Sequence, residues 1–309
     1  MINIRFCWRV SFLGNDYILS TCSTCDMTNE FCKKRDINYA KFHYFINGTE
    51  YTDDMGKSMS AEEFYSKITP KGVDVKTSQV NVAEFIEYFT PFLESGKDIL
   101  HISTSTGISG VYNSAKIAAT EVSKKFPERK VYVVDSLGGS SGMGLIMDTL
   151  ADMRDAGKDI EELKSWIENN KLRLHHWFCT CDLSFFIRGG RISKAAGLVG
   201  SVLKICPVLN VSAEGKLTPR MKVRTKQKAL AELCNKMIEN AKDGLNYASK
   251  CFISQSNCFK DARYLADMIE GKFKQLKERV HIYNIGTTVG SHTGPGTIAL
   301  FFWGESART

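Results

Sequence analysis

Four consecutive hydroxyl residues, at positions 103–106, follow an apolar segment and precede Gly107. Ser109 stands where a residue would cap the helix that follows. Hydroxyl groups, together with the free N–H groups of a helix N-terminus, suit a carboxylate or a phosphate. The alternative is that these residues only cap the helix and satisfy the loop backbone. Because four occur in succession between a predicted strand and a predicted helix, the pattern favours an anion site that includes Ser105 and Thr106.

Two further segments have similar chemistry. Lys76-Thr77-Ser78-Gln79 precedes a predicted helix, and Asp135-Ser136 leads into the glycine-rich sequence G-G-S-S-G-M-G. That sequence lacks a full G-x-G-x-x-G, because Met147 stands where the third glycine belongs, and no Walker A sequence is present. The glycines therefore predict a tight turn in preference to a nucleotide site.

His292 lies in a segment rich in Gly, Ser and Thr, which predicts a loop. With Ser105 or Ser109 as nucleophile and His292 as base, the protein would be a hydrolase or acyltransferase acting on a lipid ester. No G-x-S-x-G elbow is present, and nothing in the sequence places an acid beside His292. A binding role is therefore favoured, and the Ser/His enzyme remains the alternative.

Cys22 and Cys25 form a C-x-x-C with Cys32 nearby, but no second pair or histidine completes a zinc set. The ten cysteines are scattered through a chain with no recognisable signal peptide, which predicts reduced thiols in a cytoplasmic protein. We expect no metal and no cofactor.

The 309 residues carry a net charge of +7 that is spread along the chain, whereas nucleic-acid-binding proteins concentrate basic residues on one element. No segment reaches the roughly 18 uncharged apolar residues that a membrane helix requires. We therefore expect neither a nucleic-acid partner nor a membrane span.

A strand–helix alternation begins near residue 17 and predicts a mostly parallel sheet. Strands are expected at 17–21, 99–103 and 130–135, helices at 61–68, 82–93, 109–125, 142–156 and 159–170, and a hairpin at 42–46 and 49–52 around Asn47-Gly48. Beyond residue 172 the pattern becomes an antiparallel meander, with strands at 174–180, 206–212 and 216–223. Helices at 225–242 and 258–271 and strands at 250–255, 280–285 and 297–303 complete the chain.

The fold class is α/β in two domains: residues 17–172 with a mostly parallel sheet and 173–309 with a mixed or antiparallel sheet. Residues 1–16 are expected to be an extension.

Several motifs occur together in an order that is typical of one family. They are T-S-Q at 77–79, S-T-G-I-S-G-V-Y-N-S-A at 105–115, V-D-S at 134–136, G-G-R-I-S at 189–193, K-I-C-P-V-L at 204–209, K-V-R-T at 222–225 and G-S-H-T-G-P-G at 290–296. In these motifs the chain resembles the DegV family of fatty-acid-binding proteins, which are lipid-carrying subunits of bacterial fatty-acid kinase.

The resemblance implies two α/β domains with a fatty acid buried between them. It implies that the protein is not an enzyme itself but presents the carboxyl group of a long-chain fatty acid to a kinase catalytic subunit, which forms the acyl phosphate. The carboxylate contacts implied are Thr77, Ser78, Ser105, Thr106 and His292.

Two arginines are expected to face the kinase or its phosphates. Arg191 follows a glycine pair, and Arg224 ends a predicted strand, so both are expected at the protein surface.

Overall fold

A computed structural model describes residues 16–193 and 205–309 of the chain. The expected extension, residues 1–16, lies outside these ranges except for Asp16, and so does Lys204 of the K-I-C-P-V-L motif.

The first half of the chain builds two sheets. Its elements are β1 (Tyr17–Cys22), α1 (Asn29–Lys34), β2 (Ile37–Ala40), β3 (His43–Ile46), β4 (Thr49–Thr52), α2 (Ala61–Ile68), β5 (Val75–Ser78), α3 (Val82–Glu94), β6 (Asp98–Ser103), α4 (Val111–Lys125), β7 (Val131–Asp135), α5 (Ser140–Asp155) and α6 (Ile160–Asn170). One sheet has the order β2-β1-β6-β7, and every neighbouring pair in it is parallel, as expected.

The predicted hairpin forms a separate sheet with a third strand. β3 pairs antiparallel with β4 and with β5, in the order β4-β3-β5. Thr77 therefore lies on a small antiparallel sheet, and not at the carboxyl end of the parallel one.

The second half of the chain builds a mixed sheet, as expected. Its elements are β8 (Leu174–Cys179), α7 (Ser184–Arg188), β9 (Ile205–Val211), β10 (Leu217–Arg224), α8 (Lys226–Asn240), β11 (Phe252–Gln255), α9 (Phe259–Lys272), β12 (His281–Asn284), α10 (Thr287–Thr293) and β13 (Ile298–Trp303). The order is β10-β9-β8-β13-β11-β12, antiparallel except for β11 with β12. The domain boundary near residue 172 stays a prediction, and it lies between α6 and β8.

One expectation about His292 is wrong: this residue lies in helix α10 and not in a loop. Thr, Gly and Ser have low helix propensity, so the sequence T-T-V-G-S-H-T gives no helical signal. Contacts with the rest of the protein stabilise this single short helix.

Helix α5 lies between the parallel sheet and the mixed sheet, and it is buried on nearly every side. The glycine-rich sequence that resembled a nucleotide loop belongs to its start. A Cβ atom at Gly142 would lie 2.3 Å from Cε1 of His176 and 2.7 Å from Cδ1 of Phe301. Glycine is required there because the helix packs directly against the mixed sheet.

One hydrophobic core therefore runs through both halves of the chain. Leu19, Ile102 and Ile146 from the first half belong to the same buried cluster as Phe178 and Phe301 from the second. The opposite face of the mixed sheet packs on α8 and α9 and forms a second cluster. None of the helices in the two described ranges is long and apolar enough to span a lipid bilayer.

Replacing Gly142 with alanine should destabilise the protein, because the added methyl group overlaps the buried ring of His176. We expect a loss of roughly 1–3 kcal/mol, the usual cost of overpacking a core. Gly271, on α9, is the control, since a Cβ atom there meets no atom within 4 Å. Gly271→Ala should leave the melting temperature unchanged or raise it, and equal losses for both variants in thermal unfolding would contradict the packing role of Gly142.

Candidate functional site

A largely apolar cavity lies between the two halves of the chain. The first half contributes Thr24, Phe42, Thr77, Thr104, Ile108, Ser109, Gly139 and Ser140 to its lining, and the second half contributes residues that include Phe178, Phe186, Leu217, His292, Ala299 and Phe301. A cavity with this lining suits an apolar ligand that reaches a few polar groups.

A polar cleft adjoins the cavity and is more open to solvent. Ser78, Gln79, Thr106, Gly107 and Gly110 line it. Phe42, Thr77, Ile108, Ser109 and Arg191 line both the cleft and the cavity. A ligand could therefore place an apolar tail inside and a polar group at the hydroxyl-bearing segments.

A hydrogen bond between Thr77 and His292 joins the two halves where the cavity meets the cleft. Oγ1 of Thr77 lies 2.7 Å from Nε2 of His292. Thr77 pairs with Tyr44 across the small antiparallel sheet, which fixes its position. The missing side chain of Gly189 leaves room for the imidazole of His292, because a Cβ atom at position 189 would lie 2.3 Å from Nδ1 of that ring.

His292 is electrically neutral near physiological pH. Burial, together with the positive charges of Arg191 and Arg188, lowers the pKa of His292 to about 3. Its Nδ1 atom is buried and has no hydrogen-bond partner among the described residues. A neutral imidazole has one donor and one acceptor nitrogen, so the Thr77 hydroxyl either donates to Nε2 or accepts from it.

Ser105 and Thr106 are adjacent but have different surroundings. The buried Ser105 hydroxyl donates to the carbonyl of Gly215 at 2.9 Å and accepts from the Gly107 N–H at 3.0 Å. Thr106 is exposed in the cleft, and its Oγ1 donates to Oδ2 of Asp135 at 2.7 Å. Ser105 therefore joins the two halves of the chain, while Thr106 faces solvent.

The remaining candidates lie at different depths. Ser78 is exposed at the cleft. Arg191 is half-buried, in contrast to the exposed position expected, and donates to the Gly189 carbonyl at 2.5 Å. Arg224 is exposed at the end of β10, as expected, and does not line the cavity or the cleft.

Two buried aspartates that the sequence analysis did not single out accept hydrogen bonds at the start of α10. Oδ1 of Asp26 accepts the Gly286 N–H at 2.9 Å, and Oδ2 of Asp53 accepts the Thr288 N–H at 3.3 Å. Burial raises the pKa of Asp26 to about 8 and also raises the pKa of Asp53. The sequence alone could not identify Asp26 and Asp53, because neither belongs to a motif with known chemistry. Their contacts with α10 join residues that are far apart in the chain.

The arrangement does not favour nucleophilic catalysis. The hydrogen-bond partner of His292 is Thr77, while the hydroxyls of Ser105 and Ser109 are bound to Gly215 and Gln79. No carboxylate in the described ranges is hydrogen-bonded to His292. A histidine with so low a pKa is also a weak base at neutral pH.

Comparisons with known proteins show the family of the chain and its fold. The model for the DegV family, described as uncharacterised proteins, matches residues 19–305. A DegV domain-containing protein of Clostridium perfringens is 37% identical over 293 residues, which span 94% of this chain and 98% of that protein.

Solved structures share the fold at lower identity. A DegV family protein of Thermus thermophilus, described as binding fatty acid, has a TM-score of 0.82 at 24% identity, covering 93% of this chain and 99% of that one. The fatty-acid kinase (Fak) B3 protein of Streptococcus pneumoniae, loaded with linoleic acid, has a TM-score of 0.81 at 20% identity, covering 94% and 99%.

We expect the ring signals of His292 not to titrate between about pH 8 and about pH 5 in nuclear magnetic resonance spectra, because its pKa is about 3. His292→Gln identifies the signals by their loss. An unfolded histidine binds a proton near pH 6.5, so the unfolded state is protonated first and this residue's contribution to stability is lost as pH falls from about 6.5 towards 3. A midpoint above pH 5 would show that the imidazole is not enclosed as described.

Proposed function

The chain belongs to the DegV family, and from that premise we propose that it binds one long-chain fatty acid and presents the carboxyl group to a partner kinase. The apolar tail occupies the cavity, and the carboxyl group lies where the cavity meets the cleft. The observation that carries this proposal is the Thr77–His292 pair at that junction. The protein works in the cytoplasm and does not itself catalyse the transfer.

Burial of the tail supplies most of the affinity in this proposal. A chain of about 15 methylenes gains up to about 12 kcal/mol on burial, at about 0.8 kcal/mol each, before the costs of binding. Few polar contacts are then needed at the carboxylate, which leaves it accessible from the cleft.

Thr77 and His292 bind the carboxylate as a pair. When Nε2–H of His292 donates to Oγ1 of Thr77, the Thr77 hydroxyl keeps its own proton to donate to the ligand. Arg191 adds positive charge in the same wall, because it lines both the cavity and the cleft. A hydroxyl and a nearby guanidinium together favour an anion over a neutral head group.

The other hydroxyl residues have supporting roles. Ser78 and Thr106 line the open cleft beside Thr77, where they contact the carboxyl group from the solvent side and meet the phosphoryl group as it arrives. Ser105 is buried beneath the cleft, and its hydrogen bond to the Gly215 carbonyl holds the segment that carries Thr106 in place.

The relatives support the ligand class and the partner. The Thermus thermophilus protein is described as binding fatty acid, and the Streptococcus pneumoniae protein belongs to a fatty-acid kinase and is loaded with linoleic acid. The cavity of this chain has a largely apolar surface to which four phenylalanines contribute, and it suits the same class of ligand.

We expect the purified protein to release about one fatty acid per chain on denaturation and organic extraction, because the apolar cavity between the two halves suits a single apolar tail. Mass spectrometry of the extract measures the amount and identity. A protein that releases no fatty acid and also fails to bind added oleate or palmitate would refute the function.

Thr77→Val tests the carboxylate contact. A hydrogen bond to a charged group is worth roughly 1.5–3 kcal/mol, so binding of palmitate should weaken by about tenfold or more, whereas hexadecanol should lose less. Thr120→Val, on the exposed face of α4, is the matched control and should bind both ligands as the wild type does. If palmitate and hexadecanol lose the same affinity, Thr77 contributes to the shape of the cavity and does not bind the carboxylate.

Arg224→Ala tests presentation to the kinase. Because Arg224 is exposed and lies outside the cavity lining, the variant should keep its melting temperature and bound lipid, while acyl-phosphate formation with the cognate kinase falls. Lys228→Ala, in the first turn of α8 and also exposed, is the control. Loss of lipid from the Arg224 variant would place this arginine in lipid binding and not in docking.

A further inference from the structure

Arg308 is buried beneath the hydroxyl-bearing segments, although it lies outside every sequence motif. Its side chain is 3% exposed. The guanidinium donates to the carbonyls of Ser212 at 3.3 Å and Lys171 at 3.0 Å, and also to the carbonyls of Leu174 and Leu137. One side chain thus joins three backbone segments, around Leu137, Lys171–Leu174 and Ser212, and these come from both halves of the chain.

One of these carbonyls leads directly to Thr106. Leu137 lies just after β7, and its N–H donates to Oδ1 of Asp135 at 2.8 Å. The other oxygen of Asp135 accepts the Thr106 hydroxyl at 2.7 Å and the Thr106 N–H at 3.3 Å. Arg308 is therefore linked to the cleft through Leu137 and Asp135.

A second carbonyl leads to Ser105. Ser212 begins the turn between β9 and β10, and its carbonyl also accepts the Gly215 N–H at 2.9 Å. The carbonyl of Gly215 in turn accepts the Ser105 hydroxyl. Both hydroxyl residues of the predicted anion site thus depend on backbone segments that Arg308 holds.

The chemistry of Arg308 differs from that of an ordinary ion pair. Among the described residues its hydrogen bonds go only to carbonyl oxygens, and Asp135 is the carboxylate whose charge acts on it. A buried charge without a directly bonded counter-ion is costly, so packing alone is a poor explanation for it. The planar guanidinium offers five donors in fixed directions, which a lysine or glutamine cannot reproduce.

Leu137 also needs such support. Its φ angle is +50°, in the left-handed region that a leucine rarely adopts. The bond from Arg308 to its carbonyl and the bond from its N–H to Asp135 hold the peptide groups on either side in this conformation.

We propose that Arg308 is a positioning residue for the fatty-acid site: it fixes the segments that carry Thr106 and Ser105 against the β9–β10 turn, and so governs how firmly the fatty-acid head group is retained. This inference rests on the proposed function, and it adds a residue that contacts neither the cavity nor the cleft.

The test compares Arg308→Gln and Arg308→Lys with Arg279→Gln, whose arginine is 81% exposed. Each protein is loaded with palmitate or with hexadecanol, and release to phosphatidylcholine vesicles is timed. Arg308→Gln should release palmitate about tenfold faster than the wild type, with a smaller effect on hexadecanol. Arg308→Lys should be intermediate, and Arg279→Gln should be unchanged. If the glutamine variant does not fold, the lysine variant carries the comparison.

Hydrogen exchange gives a readout that does not require lipid. The amides of Thr106 and Leu137, which donate to Asp135, should lose protection in the Arg308 variants, while amides of β11 keep theirs. Unchanged exchange at these two amides, or equal acceleration of palmitate and hexadecanol release, would overturn the proposal. A wild-type protein that binds no fatty acid would refute the proposed function instead, and the exchange experiment would still decide whether Arg308 holds these segments.

Discussion

The docking of α10 onto the first half of the chain is the contact on which the site depends. This helix brings His292 to Thr77, and it has seven residues, too few to be stable alone. Asp26 and Asp53 accept N–H groups at its start, and the Tyr65 hydroxyl donates to the Ile285 carbonyl just before it. This wall of the cavity is assembled from both halves, because these groups come from one half of the chain and the helix from the other.

The buried helix α5 sets the second constraint. The mixed sheet has hydrophobic contacts on both faces, one with α8 and α9 and one with α5. The two domains thus share a core, and the cavity is a gap within that core. A ligand with an apolar tail fits such a gap because it continues the packing on either side.

Periodic patterns predicted most of the fold. The strands of the parallel sheet, the Asn47-Gly48 hairpin and the long helices all have strong local signals, and the structure places them within a few residues of the expected bounds. The short elements α1, β2, β5, α7 and α10 were missed, because tertiary contacts stabilise them and their local propensity is weak. Thr77 and His292 could be singled out by type, but their contact spans 215 positions and depends on the pairing of β3 with β5. The half-buried position of Arg191 and the link between Ser105 and Gly215 have the same origin in long-range packing.

Asp26 takes part in the contact between the two halves, and near neutral pH its carboxyl group is protonated. With a pKa of about 8 in the folded protein and about 3.9 in an unfolded chain, this carboxyl group takes up a proton when the protein folds at pH 7. The stability that Asp26 contributes is lost as pH rises from about 3.9 towards 8, whereas the contribution of His292 is lost as pH falls. Above about pH 8 the Asp26 carboxyl group would lose its proton and leave a buried negative charge inside this interface, close to Asp53. Packing of the two halves against each other is therefore linked to the binding of a proton. Raising the pH removes that proton and so opposes folding.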